Sequence, residues 1–153
     1  MRKMKIVVAS DHAGYNLRMK IVQTLRLCSM DPKKFIEVID LGHHSFAPCD
    51  FPEYANKLCE TMKTDSDIDF GILVCGSGMG MSMAANRHKH IRCALCRTSY
   101  DAKLSRQHNN ANVLALGQNV TAEGAAIDIV FEFISTKFSD DVPRYGERMN
   151  MIS

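Results

Sequence analysis

One segment of the chain combines a thiol with three closely spaced glycines. An apolar run, residues 72–74, ends on Cys75, and glycines follow at positions 76, 78 and 80 before a helix-compatible run. A strand, a glycine-rich loop and a helix in this order leave backbone N–H groups free at the loop and the helix start, where an anion can bind. A thiol beside such an anion site is favoured as the thiolate. The segment therefore predicts a base next to an oxyanion site, which indicates enzyme chemistry rather than simple binding.

The same segment has a purely structural interpretation. Cys75 also fits a small buried hydrophobe at a strand end, which is the commonest fate of a free cysteine, and the glycines also suit close packing of a helix on a sheet. The loop lacks the Lys-Ser/Thr pair of a P-loop, and its Gly-x-Gly-x-Gly spacing differs from that of the dinucleotide fingerprint. The segment by itself therefore leaves both interpretations open.

Other residues that could do chemistry stand near the ends of predicted elements. Asp11 and His12 follow the first apolar run, and His108 closes a helix-like stretch that follows the fourth. Because ligands of open parallel sheets bind at the carboxyl ends of the strands, we expect these residues to form one site with Cys75. Arginines in the polar tail, Arg144 and Arg148, suit a phosphate through their planar, permanently charged groups.

Each of these residues also has an ordinary structural role open to it. Asp11 is a candidate N-cap for the first helix, and His12 could be an exposed loop histidine. His108 could satisfy the last helical carbonyls, with Asn109 or Asn110 as a left-handed cap. The coincidence of an aspartate, two histidines, a thiol, an anion loop and two arginines in one small chain favours the functional interpretation.

The elements that must position these residues alternate along the chain. Short apolar runs, several of them continuous enough for strands buried on both faces, are each followed by a helix-like stretch. Repeating β–α units of this kind predict a parallel sheet covered by helices. The predicted strands span residues 5–10, 36–41, 68–75, 92–96 and 113–117. The predicted helices span residues 15–28, 51–63, 80–87, 99–108 and 122–138, with a short further helix after Pro143.

Composition and length limit the kind of protein. The 153 residues are enough for one domain, residues 1–153, and the net charge of +2 comes without a basic block, which argues against nucleic acid or an anionic membrane as the main partner. No apolar run approaches the length of a membrane span or a signal-peptide core, so we expect a cytosolic protein. Cys93 and Cys96 stand at a C-x-x-C spacing, where we expect buried free thiols rather than zinc or redox chemistry.

Several segments together resemble one known family. They are residues 10–14 (Ser-Asp-His-Ala-Gly), 50–55 (Asp-Phe-Pro-Glu-Tyr-Ala), 75–86 (Cys-Gly-Ser-Gly-Met-Gly-Met-Ser-Met-Ala-Ala-Asn), 105–113 (Ser-Arg-Gln-His-Asn-Asn-Ala-Asn-Val) and the pair Arg144 and Arg148. On these segments the chain resembles the type B ribose-5-phosphate isomerases, whose wider family includes the galactose-6-phosphate isomerase subunits.

The resemblance implies a fold, an activity and an assembly. The fold is a Rossmann-like three-layer α/β/α sandwich on a five-stranded parallel sheet. The activity is the interconversion of ribose 5-phosphate and ribulose 5-phosphate through a cis-enediolate, in the non-oxidative pentose phosphate pathway, with neither metal nor cofactor. The assembly is a homodimer, or a dimer of dimers, whose active sites use residues of both subunits.

The resemblance also implies a role for each site residue. His108 opens the furanose ring with help from Asp11, and Cys75 as thiolate removes the proton from C2. Backbone N–H groups of the loop hold the enediolate oxygen, and the Ser77 hydroxyl relays a proton. The other residues expected to contact the substrate are His12, Arg144 and Arg148 at the phosphate, Asn109 at a sugar hydroxyl, and Gly76, Gly78, Met79 and Gly80 at the enediolate.

Two positions depart from the family pattern in ways that bear on the chemistry. Met81 stands where one branch carries a glutamate base, and because a thioether accepts no proton, Cys75 is the remaining base of the loop. Asn119 stands where many members carry an arginine that faces the phosphate. The affinity for phosphate is therefore expected to be lower, or to rest on the tail arginines and His12.

Two other functions stay open at this point. The same chemistry on a six-carbon sugar phosphate, allose 6-phosphate or galactose 6-phosphate, would need only a different pocket. Galactose-6-phosphate isomerase divides its catalytic motifs between two unlike subunits, whereas this chain carries Asp11, Cys75 and His108 together, which favours the ribose enzyme. A non-catalytic phosphate-binding module would explain the glycine loop and the arginines but not the thiol and the histidine.

Overall fold

Residues 2–153 are described by the computed structural model of the chain. Over this range helices and strands alternate in the order that the sequence predicts. The strands are β1 (Met4–Ser10), β2 (Ile36–Asp40), β3 (Phe70–Cys75), β4 (Cys93–Leu95) and β5 (Val113–Gly117). The helices are α1 (Tyr15–Cys28), α2 (Phe51–Thr64), α3 (Met79–Ala85), α4 (Ser99–Asn109), α5 (Glu123–Ser135) and α6 (Pro143–Ile152).

The strands form one parallel sheet in the order β2-β1-β3-β5-β4. The central strands β1, β3 and β5 are buried on both faces, which explains their near-continuous hydrophobic runs. The chain passes from β1 to β2 on one side and then crosses back to β3 on the other side of β1, so the strand order reverses between β1 and β3. In doubly wound sheets, ligands bind in the crevice at the carboxyl ends of the strands where this reversal occurs. Asp11 directly follows β1 and Cys75 ends β3, so both residues lie at that point.

A hydrophobic core lies on each face of the sheet. Even-numbered side chains of β1 and β3, such as Ile6 and Ile72, pack with α1, α4 and α5. Odd-numbered side chains of the same strands, such as Val7 and Leu73, pack with α2 and α3, and Cys75 belongs to this second core. The three-layer α/β/α sandwich that the sequence predicts is therefore confirmed.

Five elements are shorter than the sequence predicts: β2 and α3 by one residue each, and β3, β4 and α5 by more. β3 begins at Phe70 rather than at residue 68, because Ile68 closes a turn through its N–H bond to the Asp65 carbonyl (3.3 Å). β4 is reduced to three residues. α5 stops before Thr136, whose extended backbone (φ −85°, ψ 127°) ends the helix while its hydroxyl donates to the Glu132 carboxylate at 2.8 Å. The short helix expected after Pro143 is confirmed as α6.

The cysteines at the C-x-x-C spacing are free thiols in packing positions. Cys96 is buried, and burial raises its pKa to about 11, while Cys93 is half-buried on the edge strand and burial raises its pKa as well. Thiols held in the neutral form are weak nucleophiles and weak metal ligands. Within residues 2–153, no cluster of three or more His, Cys, Asp or Glu side chains is arranged to hold a metal ion. None of the helices in that range is both long and apolar enough to cross a membrane.

Candidate active site

The thiol of Cys75 lies at the carboxyl end of β3 with only 5% of the residue exposed. Its sulfur accepts the backbone N–H of Gly78 at 3.1 Å. Gly78 reaches this position with φ +79°, in the left-handed region, and a Cβ there would lie 2.6 Å from a methyl carbon of Leu95. Conformation and space therefore both require glycine. The Gly78 N–H is thus aimed at the sulfur, so the thiol meets a hydrogen-bond donor of the loop on one side and the core on the other.

The loop that follows Cys75 leaves several of its N–H groups unused. Among the described residues, no hydrogen-bond acceptor pairs with the backbone N–H groups of Gly76, Ser77 or Gly80. The N–H of Met79 is engaged by the Ser77 hydroxyl at 3.2 Å. Two of the five donors expected from the sequence, Gly78 and Met79, are thus used inside the loop, and the other three are available to an anion.

Asp11 and His12 lie beside this loop. The Asp11 N–H donates to the Val74 carbonyl at 3.3 Å, and one carboxylate oxygen accepts the N–H of Gly14 at 3.0 Å. The N-cap of α1 is Gly14 rather than Asp11, yet the carboxylate still satisfies an N–H at the helix start. The Nδ1 atom of His12 accepts the N–H of Cys49 at 3.1 Å. Burial also raises the pKa of the Cys49 thiol.

Asn119 completes the group at this edge of the sheet. It stands in the turn after β5, where its N–H donates to the Gly76 carbonyl at 2.9 Å. Its side-chain nitrogen lies 3.1 Å from the point that a Cβ on Gly76 would occupy. We call this group the thiol half-site: Asp11, His12, Cys75, the loop of residues 76–80, and Asn119.

His108 does not join this group within one chain, which corrects the expectation of one site at the carboxyl edge. α4 starts after β4 at the carboxyl edge and runs back to the start of β5, so His108 near its end lies at the amino edge. Val113 at that edge is four residue steps from Gly117, which pairs with Cys75. At the usual rise of a strand, these steps alone separate the two edges by about 13 Å.

The amino edge carries the remaining predicted residues. The His108 ring packs on the Tyr145 ring with centroids 4.6 Å apart, and the Arg144 guanidinium carbon lies 5.3 Å from the centroid of the same ring. Asn110 caps α4 in the left-handed conformation (φ 44°), as one structural interpretation predicted. We call this second group the histidine half-site: His108, Asn109, Arg144 and Arg148.

Sequence reasoning missed residues that hold each half-site in place. Arg106 is buried behind the histidine half-site, where its side chain donates to the carbonyls of Thr136 (3.1 Å) and Ala111 (2.5 Å). Arg18 is buried behind the thiol half-site. An arginine inside a helical pattern is visible in the sequence, but its burial is not, and half of the partners of these two arginines are 22 or more residues away along the chain.

Comparison with known proteins identifies the family. The ribose/galactose isomerase family model matches residues 6–152. The chain is 36% identical to ribose-5-phosphate isomerase B of Escherichia coli K12 over 149 residues, which cover 97% of this chain and 94% of that protein. The solved ribose-5-phosphate isomerase B structures of Clostridium thermocellum and Thermotoga maritima superpose with TM-scores of 0.88 and 0.90, at 41% and 40% identity. They cover 97% and 99% of this chain, and the match takes in 95% and 98% of their own lengths. The chain therefore belongs to the ribose/galactose isomerase family.

Proposed function

We propose that the protein is an aldose–ketose isomerase that interconverts ribose 5-phosphate and ribulose 5-phosphate. The observation that carries the proposal is the Cys75 sulfur, which receives the Gly78 N–H at 3.1 Å. Beside it are three backbone N–H groups that find no acceptor within residues 2–153. A base next to an anion site is what removal of a proton from carbon requires. A binding module would need the anion site but not the thiol.

The reaction follows from these two parts. Cys75 as thiolate removes the proton from C2, and the electron pair moves into the C1–C2 bond to give a cis-enediolate. The free N–H groups of Gly76, Ser77 and Gly80 bind the oxygen on which negative charge develops. The thiol then returns its proton to C1 while a proton passes from O2 to O1, with the Ser77 hydroxyl as relay, and the ketose results.

A second copy of the chain supplies the histidine half-site in this proposal. Ring opening by His108 needs its imidazole at the same sugar whose C2 faces Cys75, and the two groups lie at opposite edges of one sheet. Apolar side chains are exposed beside the thiol half-site, namely Phe51 (37%), Met79 (43%) and Met83 (64%). Methionine and aromatic residues of this kind are enriched at subunit interfaces, so this surface suits cover by another copy.

The phosphate is held between the two copies. Arg144 and Arg148 of one copy and His12 of the other bind it, while Asp11 assists ring opening and Asn109 contacts a sugar hydroxyl. Arg144 and Arg148 are both exposed, as they must be to reach another chain's ligand. A homodimer with two shared sites satisfies these requirements, and a pair of such dimers does so equally. The cytosolic location stays a prediction of the sequence.

The test is an assay of the purified protein with ribose 5-phosphate and allose 6-phosphate side by side, following formation of each ketose. We expect turnover of ribose 5-phosphate and a much lower kcat/KM on the six-carbon sugar. Preference for allose 6-phosphate or galactose 6-phosphate would keep the mechanism and change the substrate. Absence of turnover on every pentose and hexose phosphate, in a folded protein, would contradict the proposal and favour the binding module.

A further inference from the structure

The ring of His12 is oriented by a backbone amide. The Cys49 N–H donates to its Nδ1 atom at 3.1 Å. A backbone amide nitrogen has no acceptor capacity, so Nδ1 must be the unprotonated nitrogen of the ring. The proton of the neutral imidazole is consequently on Nε2, which makes Nε2 the donor that His12 can offer to a ligand.

Cys49 belongs to the loop between β2 and α2, residues 41–50, and this loop is held from inside by Arg18. The Arg18 residue is fully buried. Its Nε donates to the Ser10 hydroxyl at 2.8 Å, and its terminal nitrogens donate to the Asp40 carboxylate and to the His43 carbonyl (2.6 Å). One guanidinium therefore joins the end of β1, the end of β2 and the loop. A buried cation is tolerated because it is paired with a carboxylate and bonded in three directions.

Bonds inside the loop fix its shape. The His43 ring accepts from the Tyr54 hydroxyl at Nδ1 (2.7 Å) when its Nε2 donates to the Ala47 carbonyl (2.9 Å). The loop also packs on α1, where the Phe46 and Tyr15 rings have centroids 4.2 Å apart. The loop is thus attached to α2 through His43 and to α1 through Phe46, which restricts the orientation in which Cys49 presents its N–H to His12.

We propose that the 41–50 loop, anchored by Arg18, is a positioning device that keeps the proton of His12 on Nε2 and so sets which ring nitrogen donates to the substrate phosphate. Arg18 and Cys49 are positioning residues in this scheme and do not touch the substrate. The expected effect on substrate binding rests on the proposed function, in which His12 binds the phosphate. The position of the proton on the His12 ring does not depend on that function.

The direct test is the tautomer of His12, measured from the 15N chemical shifts of its ring nitrogens at mildly alkaline pH and assigned by their loss in His12→Asn. We expect Nε2–H in the wild type. Cys49→Pro removes the amide donor and should give a mixture of tautomers. Cys49→Ala is the matched control, since it keeps the N–H and removes only the thiol, whose sulfur lies 3.9 Å from Nδ1. An Nδ1–H ring in the wild type, or identical shifts in wild type and Cys49→Pro, would overturn the proposal.

The role of Arg18 is tested by the double variant Arg18→Met with Asp40→Asn. It removes both charges of the buried ion pair at once, so neither is left without a partner. We expect the His12 tautomer to become mixed and KM to rise about 3- to 10-fold, the worth of one hydrogen bond, with kcat changed less. A double variant that folds and keeps a pure Nε2–H ring would show that Arg18 does not hold the loop. The tautomer of His12 can be measured even if the wild-type protein proves to have no isomerase activity. Failure of the proposed function is therefore distinguishable from failure of the proposed positioning of the His12 proton.

Discussion

The sulfur atom of Cys75 lies between two different environments, the hydrophobic core and the glycine-rich loop. On the strand side it belongs to the hydrophobic core under α2 and α3, and on the loop side it receives the Gly78 N–H. The packing interpretation therefore holds for Cys75. The loop bond fits the functional interpretation as well, and the role of Cys75 as a base stays a prediction. A packing thiol needs no donor aimed at it, so the loop bond is what distinguishes Cys75 from Cys59, a neighbour in that core whose pKa burial raises to about 12.

Replacement of Cys75 by alanine should remove the carbon-acid base. We expect kcat to fall by about 10²–10⁴-fold, the usual contribution of a positioned base, with KM and thermal unfolding little changed. Cys28→Ala is the matched control, because Cys28 ends α1 away from either half-site. Steady-state kinetics with circular dichroism of both variants checks this. A Cys75→Ala enzyme within twofold of wild-type kcat would refute the assignment of the base.

Asn119 lies against Gly76 in the thiol half-site and carries no charge to offer a phosphate. Asn119→Arg should lower KM for the sugar phosphate by about threefold to tenfold, because it adds a charged hydrogen bond to the phosphate. Residue 119 is exposed, so the longer arginine side chain can be accommodated. Titration at two salt concentrations measures it, and the gain should shrink at the higher one. Unchanged KM in a folded variant would mean that this turn does not face the phosphate.

The residues to which we assign chemistry were visible in the sequence by their types, while the residues that orient them were not. Cys75 and its donors are neighbours along the chain, and so are Asp11 and the Gly14 N–H that it accepts. The ring of His12 depends instead on Cys49, 37 positions away, through a bond from a backbone group that any residue other than proline carries. No residue type signals such a contact, which is why it had to be seen in the structure.

At the scale of elements, the direction of α4 decides where His108 lies. A helix that connects two parallel strands must return to the amino edge of the sheet, because the next strand starts there. The order β4, α4, β5 was predicted correctly, so the position of His108 followed from the predicted topology. The expectation of one site at the carboxyl edge was wrong because it used the ends of elements without their direction.

The left-handed start of α3 is sensitive to the addition of a single methyl group at Gly78. Gly78→Ala places a Cβ at φ +79° and 2.6 Å from Leu95, and we expect the free energy of unfolding to fall by about 2 kcal/mol, with loss of activity. Gly124→Ala in α5 is the control, since nothing lies within 4 Å of its added Cβ. Urea unfolding should show that control to be equal to or more stable than wild type by about 0.5–1 kcal/mol. Equal stability of the two variants would contradict the packing described here.

For the whole molecule, the fold was predictable because its elements repeat a simple pattern. Buried central strands gave continuous apolar runs, and each crossover helix presented an apolar face, so order and type of elements followed from periodicity. The proposed site was not predictable from periodicity, because Cys75 and His108 lie at opposite edges of one sheet. Only the family resemblance led to the proposal that a second copy contributes.

Mixing two inactive variants tests the shared site. Cys75→Ala and His108→Asn should each be inactive alone, but a heterodimer holds one site with both residues intact. Random pairing after co-expression predicts about a quarter of wild-type activity, from half the dimers with one of two sites working. The double variant Cys75→Ala with His108→Asn, co-expressed with wild type, controls for simple dilution. Absence of any recovery in mixed dimers would show that each site belongs to one chain.

The placement of the two half-sites at opposite edges has a consequence for how the enzyme responds to dilution. With the shared site that we propose, catalytic capacity scales with the number of associated pairs. Specific activity should then decline once the chain concentration falls below the dissociation constant of the pair. A sugar phosphate that bridges both copies binds the pair and not the separated chain, so it strengthens association by mass action. Substrate at saturating concentration should therefore keep a dilute enzyme from losing activity by dissociation. The free energy of association should increase with the logarithm of the ratio of substrate concentration to its dissociation constant.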